Sequence, residues 1–177
     1  MRSPVVILAL AAAIMVMSLL AAPVESPASS AVTGPVTTVY VYLPRGGPGR
    51  GCDRVLPVRR LVARPRLLTG ALLALLAGPT ATERRRGYGG WFSARTTGHL
   101  RSVNLVGGVA YVDFRTFSQL IPNASSSCGS SLLLAQLERT ARQFPTVKRT
   151  VYSFAGSSRA FYEWLGREAP PGRSSAP

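Results

Sequence analysis

Alternation of apolar and polar residues marks five segments of the chain as β-strands. In the first segment, Val39, Val41 and Leu43 point to one side of the strand, and the tyrosines between them point to the other. Two further segments flank Gly107-Gly108, which is typical of a β-hairpin. The predicted strands are 37–43, 54–63, 99–106, 109–114 and 147–154.

Apolar residues recur at helical spacing in two other segments. The first ends at the stop signal Gly78-Pro79, and the second follows Ser130 or Ser131, either of which can cap a helix. Gly70 weakens the first helix, and close packing on a sheet would be a reason to keep it. The expected buried positions are Leu68, Ala71, Leu72, Leu75, Leu76, Leu132, Leu133, Gln136, Leu137, Thr140 and Ala141.

The order of these elements is strand, strand, helix, hairpin, helix, strand. It predicts an α+β fold, with one small domain whose mixed or antiparallel sheet carries both helices on one face. Leu75 and Leu133 are then core residues. The polar, Gly-rich stretch 82–97 is predicted to be a surface loop, and residues 157–168 an amphipathic C-terminal segment.

The N-terminus has the order of a secretory signal. Arg2 precedes an apolar run over residues 4–22, and small residues follow it. We expect a signal peptide at 1–28, a tether at 29–36 and a disordered tail at 169–177. The alternative is an uncleaved anchor, which would be the chain's one contact with a membrane. Either way, the protein is expected to be secreted or to lie on the extracytoplasmic face of a bacterial envelope.

The charge of the chain is strongly unbalanced. Among its 177 residues, 21 are basic and 7 are acidic, which gives a net charge of +14. On the outer side of the cytoplasmic membrane, a strongly basic protein is expected to bind an envelope protein or an anionic envelope polymer. That location argues against nucleic acid as the partner. Because Lys148 is the one lysine, the arginine content could also reflect a GC-rich genome.

One candidate binding surface combines charge with aromatic side chains. Arginines pair with acidic groups and aromatic rings stack on sugars, so such a surface suits a glycan or another anionic polymer. The alternative is a loop whose aromatic residues fold over an edge of the core. The residues concerned are Arg84, Arg85, Arg86, Tyr88, Trp91 and Phe92.

The two cysteines, Cys52 and Cys128, predict a disulfide, because exported proteins rarely keep exposed free thiols. The alternative is two free thiols in loops. Asp113 stands in an apolar strand and could be a functional acid. The alternative is a structural carboxylate that accepts loop N–H groups or pairs with an arginine. With one histidine and no second carboxylate placed for an acid/base pair, we expect no catalytic residue, metal or cofactor.

Three motifs resemble the GerMN domain, a module of sporulation and spore germination that also occurs in LpqB-type envelope lipoproteins. They are LLALLAGPTATE, LRSVNLVGGVAYVDF and LERTARQFPTVKRTVYSFAG, and the resemblance covers residues 37–156. It implies a small α+β module outside the cytoplasmic membrane that builds or joins envelope assemblies, with no enzymatic activity.

The sequence therefore predicts an exported, non-enzymatic module that binds an envelope protein or polymer, in sporulation, germination or envelope signalling. Two alternatives stay open. One is a cell-wall or glycan-directed hydrolase, and the other is a structural unit that self-associates through sheet edges. The oligomeric state is not defined by the sequence.

Overall fold

The structure, a computed structural model, describes residues 35–46 and 51–170. This part of the chain contains five β-strands and four α-helices. The strands are β1 (Val36–Leu43), β2 (Leu56–Ala63), β3 (Leu100–Val106), β4 (Val109–Phe114) and β5 (Arg149–Phe154). The helices are α1 (Leu67–Leu76), α2 (Ala81–Arg85), α3 (Ser127–Ala141) and α4 (Ser158–Trp164). The predicted signal peptide, the tether up to residue 34 and the tail from residue 171 lie outside the described residues.

The strands form two small sheets. β1 and β2 pair antiparallel, whereas the second sheet has the order β3-β4-β5, antiparallel between β3 and β4 and parallel between β4 and β5. The parallel pair requires a crossover connection, which contains α3. The predicted α+β class of a single small domain is confirmed, with its strands divided between two sheets instead of one.

The outer edge of β1 explains why the first sheet stops at two strands. The backbone N–H of Tyr40 donates to Oε1 of Gln143 at 2.8 Å, and Nε2 of Gln143 donates back to the carbonyl of Tyr40 at 2.6 Å. Thr140 Oγ1 accepts from the N–H of Tyr42 at 3.1 Å. Side chains from the end of α3 thus occupy positions that another strand would otherwise take.

The core lies between the sheets and the helices α1, α3 and α4. The predicted leucines Leu72, Leu75, Leu76, Leu133 and Leu137 are fully buried in it. An aromatic cluster completes the core where α4 packs on β4 and β5. Its rings belong to Phe114, Phe117, Tyr152, Phe154, Phe161 and Trp164.

Close contact between α1 and β2 explains Gly70. A Cβ atom at this position would lie 2.9 Å from Cβ of Val62, so only glycine lets the helix approach the strand this closely. Gly107 and Gly108 have φ values of 56° and 78°, the left-handed backbone that a tight hairpin turn requires.

Two helices differ from the sequence-based expectation, α2 because no helix was predicted there and α3 in the residue that caps it. Residues 82–97 were expected to be loop, but α2 and a 3₁₀ turn at Ala94–Thr96 fall within or across this stretch. α3 begins at Ser127 because Ser126 caps it, its Oγ accepting from the N–H of Gly129 at 3.0 Å. The predicted caps, Ser130 and Ser131, lie inside the helix. Cys128 therefore lies in the first turn of α3.

Candidate functional site

α2 carries Arg84 and Arg85 of the candidate surface, Arg86 is the residue at its C-terminal cap, and a capping box fixes its start. Thr80 Oγ1 accepts from the N–H of Glu83 at 3.2 Å, and Oε2 of Glu83 accepts from the N–H of Thr80 at 2.8 Å. The same carboxylate accepts two bonds from Arg60 of β2, at 2.6 and 2.8 Å. The paired Arg60 guanidinium is the main cause of the lowered pKa of Glu83. α2 is thereby fastened to the first sheet.

Arg84, Arg85 and Arg86, which we call the arginine patch, are all exposed. Arg84 donates to the carbonyl of Pro79 at 2.6 Å, and Arg85 donates to Thr82 Oγ1 at 3.0 Å. Both acceptors are neutral. None of the three arginines forms an ion pair within the described part of the chain, so the positive charge of the patch is not balanced locally.

Tyr88 lies beside the arginine patch and is half-buried. It forms an isolated bridge with Arg45, and the guanidinium carbon of Arg45 lies 5.4 Å from the centre of the tyrosine ring. This distance is within the range of a cation–π contact. Because Arg45 Nε also donates to the carbonyl of Arg86 at 3.1 Å, a fourth arginine stands next to the patch.

Trp91 and Phe92 anchor the loop that follows. Phe92 is only 2% exposed and packs edge-on against Phe117, with 6.0 Å between ring centres, so Phe92 is excluded from the candidate binding surface. Trp91 is half-buried, and its indole N–H donates to the carbonyl of Gly129 at 3.1 Å. For these two residues the alternative interpretation holds, namely a loop folded over the core, because their apolar rings are removed from water there.

A disulfide joins Cys52 and Cys128, as the sequence predicts. It links the segment before β2 to the first turn of α3, across 76 positions of sequence. Both cysteines are exposed, and the described residues contain no free cysteine. The bond lies at the surface, so its contribution to stability comes from closing a long loop and not from packing.

Asp113 is engaged on both of its carboxylate oxygens. Oδ1 accepts from Ser153 Oγ at 2.7 Å and from the N–H of Gly156 at 2.8 Å, and Oδ2 accepts from Arg101 at 2.7 Å. It contacts both an arginine and a loop N–H, the two kinds of partner named for a structural carboxylate. The side chain ties β4 to β3, to β5 and to the turn after β5.

A second group of titratable side chains lies between α3, β5 and α4. Burial raises the pKa of Glu138, whose carboxylate accepts from the hydroxyl of Thr150. Burial also raises the pKa of Tyr162 to about 12 and that of Tyr152 well above its ordinary value. Both phenols therefore stay protonated at neutral pH.

Among the described residues, no group of three or more His, Cys, Asp or Glu side chains is arranged to hold a metal ion. No helix in that part of the chain has both the length and the apolar character needed to cross a bilayer.

Sequence reasoning missed α2, and with it the contact between Arg60 and Glu83. The signal was present, because Thr80 and Glu83 have the spacing of a capping box. The Gly- and Arg-rich composition that follows outweighed this signal and favoured a loop.

Comparison with known families identifies the family of this domain. The family model described as Germane, sporulation and spore germination, matches residues 38–156. The chain belongs to the Germane family. The matched residues of the Germane domain run from β1 to the turn after β5, so they include the arginine patch, the disulfide and Asp113. No curated protein and no solved structure matches the chain. The Germane domain makes this protein a module of the sporulation and germination type.

Proposed function

We propose that the protein is an exported, non-enzymatic binding module that joins an envelope protein or an anionic envelope polymer. The observation that carries the proposal is the arginine patch. Arg84, Arg85 and Arg86 are exposed at the C-terminal end of a helix that a capping box and an ion pair hold in place, and no carboxylate of the described residues pairs with them. A fixed, uncompensated positive surface attracts anionic ligands.

The disulfide supports the exported location. Disulfides persist in oxidising compartments, whereas cytosolic reductants keep thiols reduced. The bond between Cys52 and Cys128 is exposed, so a reducing cytosol would have access to it. Together with the apolar run at residues 4–22, it favours a protein that works on the outer side of the cytoplasmic membrane.

The way the patch is held supports binding over a role in stability. Arg60, which does stabilise the fold, is largely buried and makes two bonds to Glu83. The arginines of the patch instead bond neutral oxygens of their own segment or point into solvent. Exposed charges contribute little to folding, so their charge remains available to a ligand.

The test replaces all three arginines of the patch by serine and measures retention of the protein on isolated cell envelope across a salt series. The matched control replaces Arg95, Arg115 and Arg139, which are also exposed and outside the described ion pairs. The two variants have the same net charge, so they differ only in where the three positive charges are removed. We expect weaker retention for the patch variant, because it lacks three charges that attract an anionic ligand. Its salt dependence should be flatter, because less of its retention is electrostatic and is lost when the Debye length shortens to about 3 Å at 1 M salt.

Equal retention of the patch variant and the parent protein, with both folded by circular dichroism, would refute the proposal. Equal losses in the patch and control variants would show that net charge alone causes retention. Treating the envelope with protease, or extracting its anionic polymers, before the assay distinguishes a protein partner from a polymer.

A further inference from the structure

β3 is an edge strand with an open side. It pairs with β4 on one side, and no strand of the described residues pairs with its other side. Most of its residues are exposed, including Leu105 at 44% and Val106 at 49%. β1 also has an outer edge, but side chains of α3 bond to it.

The hairpin geometry defines which backbone groups of β3 are open. Val106 pairs with Val109 across a two-residue turn, so these two residues exchange hydrogen bonds and the pattern alternates from there. Asn104 therefore bonds to β4, whereas the N–H and C=O groups of Val103 and Leu105 point away from it. No side chain of the described residues is hydrogen-bonded to them. An added strand would find two free donors and two free acceptors.

An apolar groove of about 400 Å³ adjoins this edge. It lies between β3 and the first turn of α1, and the side chains of Val103 and Leu105 point into it. Its remaining apolar lining comes from Pro65, Leu67, Leu68 and Phe144. Since the side chains of a strand alternate between its two faces, every second residue of an added strand would enter the groove.

The groove carries a positive charge, because Arg66 is the one charged residue among those that line it. The first turn of α1 contains no acidic residue and no capping side chain, so its partial positive charge is not offset. No carboxylate is among the lining residues. This charge suits an acidic occupant, and it opposes a second copy of a chain whose net charge is +14.

We propose that an extended, acidic segment of a partner protein adds to β3 as a fourth strand of the second sheet, with its apolar residues in the groove. This inference rests on the proposed function and specifies the chemistry of a protein partner. Main-chain bonds to Val103 and Leu105 hold the segment, and Arg66 selects its charge.

The test measures binding of the fluorescent seven-residue peptide Glu-Ser-Val-Ser-Val-Ser-Glu to the disulfide-bonded protein by anisotropy. Because side chains alternate between the faces of a strand, its two Val and its two Glu all lie on the face that meets the groove. The comparison peptide has Lys in place of Glu. We expect the Glu peptide to bind at least about tenfold more tightly, a difference of roughly 1.4 kcal/mol. Leu105→Asp should weaken its binding by at least the same factor, because the variant places a negative charge in the groove.

Leu73→Asp is the matched control, because Leu73 is 43% exposed, almost the same as Leu105, but lies outside the groove. Its binding should equal that of the parent protein. Binding should also slow hydrogen exchange at the amides of Val103 and Leu105. In the free protein we expect these amides to exchange rapidly, because they face away from β4.

Four outcomes overturn the inference: no binding of the Glu peptide, equal binding of both peptides, equal losses in the two Asp variants, or slow exchange at these amides before peptide is added. If the amides exchange slowly before peptide is added, protection that increases with protein concentration identifies a second copy of the chain. Protection that does not depend on protein concentration identifies another segment of the same chain. If peptide binding fails while the arginine patch variant still loses envelope retention, the groove proposal falls and the proposed function stands.

Discussion

Removing the disulfide should cost more stability than any single change in the surface. Replacing both Cys52 and Cys128 by Ser opens a loop whose ends are 76 positions apart. The loop-closure relation then gives an entropic loss of about 4.5 kcal/mol at 25 °C, since the unfolded chain gains conformations that the cross-link forbids. Because both residues are exposed, replacing them by serine leaves no cavity in the core. The loss of loop entropy should therefore account for almost the whole change in the free energy of unfolding.

The loss is large compared with the total stability of a domain, which is on the order of 5–15 kcal/mol. Urea unfolding followed by circular dichroism measures it. The midpoint should fall, and the slope m should rise, because the unfolded state without a cross-link exposes more surface. The single variant Cys52→Ser is the control, and it should match the double variant.

A change below about 1 kcal/mol in the free energy of unfolding would refute this reasoning. Peptide mapping of the parent protein without reductant must first show that the Cys52 and Cys128 peptides are linked. If they are linked and the change is still small, then the unfolded chain is already compact around these residues, and loop entropy is not the source of stability.

Two further predictions concern the core and the ion pair of α2. Leu75→Ala should cost about 2–5 kcal/mol in urea unfolding, because the side chain is fully buried and leaves a cavity; an unchanged midpoint would show that this face of α1 does not support the core. Arg60 lowers the pKa of Glu83 from its ordinary value of 4.5. The ionised Glu83 therefore contributes fully to the free energy of unfolding above pH 4.5, and this contribution is lost as pH falls through the lower pKa of the folded state. Glu83→Gln should therefore be less stable than the parent at pH 7 and should approach it at low pH; a gap that stays constant between pH 7 and pH 2 contradicts this.

The periodicity of the sequence was sufficient to predict the leucine residues that α1 and α3 contribute to the core. Leu72 and Leu75 of α1, and Leu133 and Leu137 of α3, recur at helical spacing, and each helix must bury the face that carries them. The alternation in β4 likewise separates buried Val112 from Asp113, which lies on the other face. Such patterns depend only on neighbouring residues, so they can be read without knowing the fold.

The arrangement of the sheets could not be predicted in this way. Alternation shows which face of β1 is buried, but not what lies along its edge, and that position is filled by Gln143, which is 103 residues away. The position of Phe92 is also non-local. Its Gly-rich surroundings favour a loop, and only the contact with Phe117 shows that its ring belongs to the core.

The contacts along the edge of β1 also have a consequence for the time course of synthesis. A chain that emerges from its N-terminus presents β1 and β2 first, whereas the residues that close the edge of β1, Thr140 and Gln143, emerge about 100 positions later. Throughout this interval β1 is an open strand next to other emerging chains. Nascent copies should therefore be most prone to pair with one another before α3 is complete, and a factor that binds extended segments would protect them most in that interval.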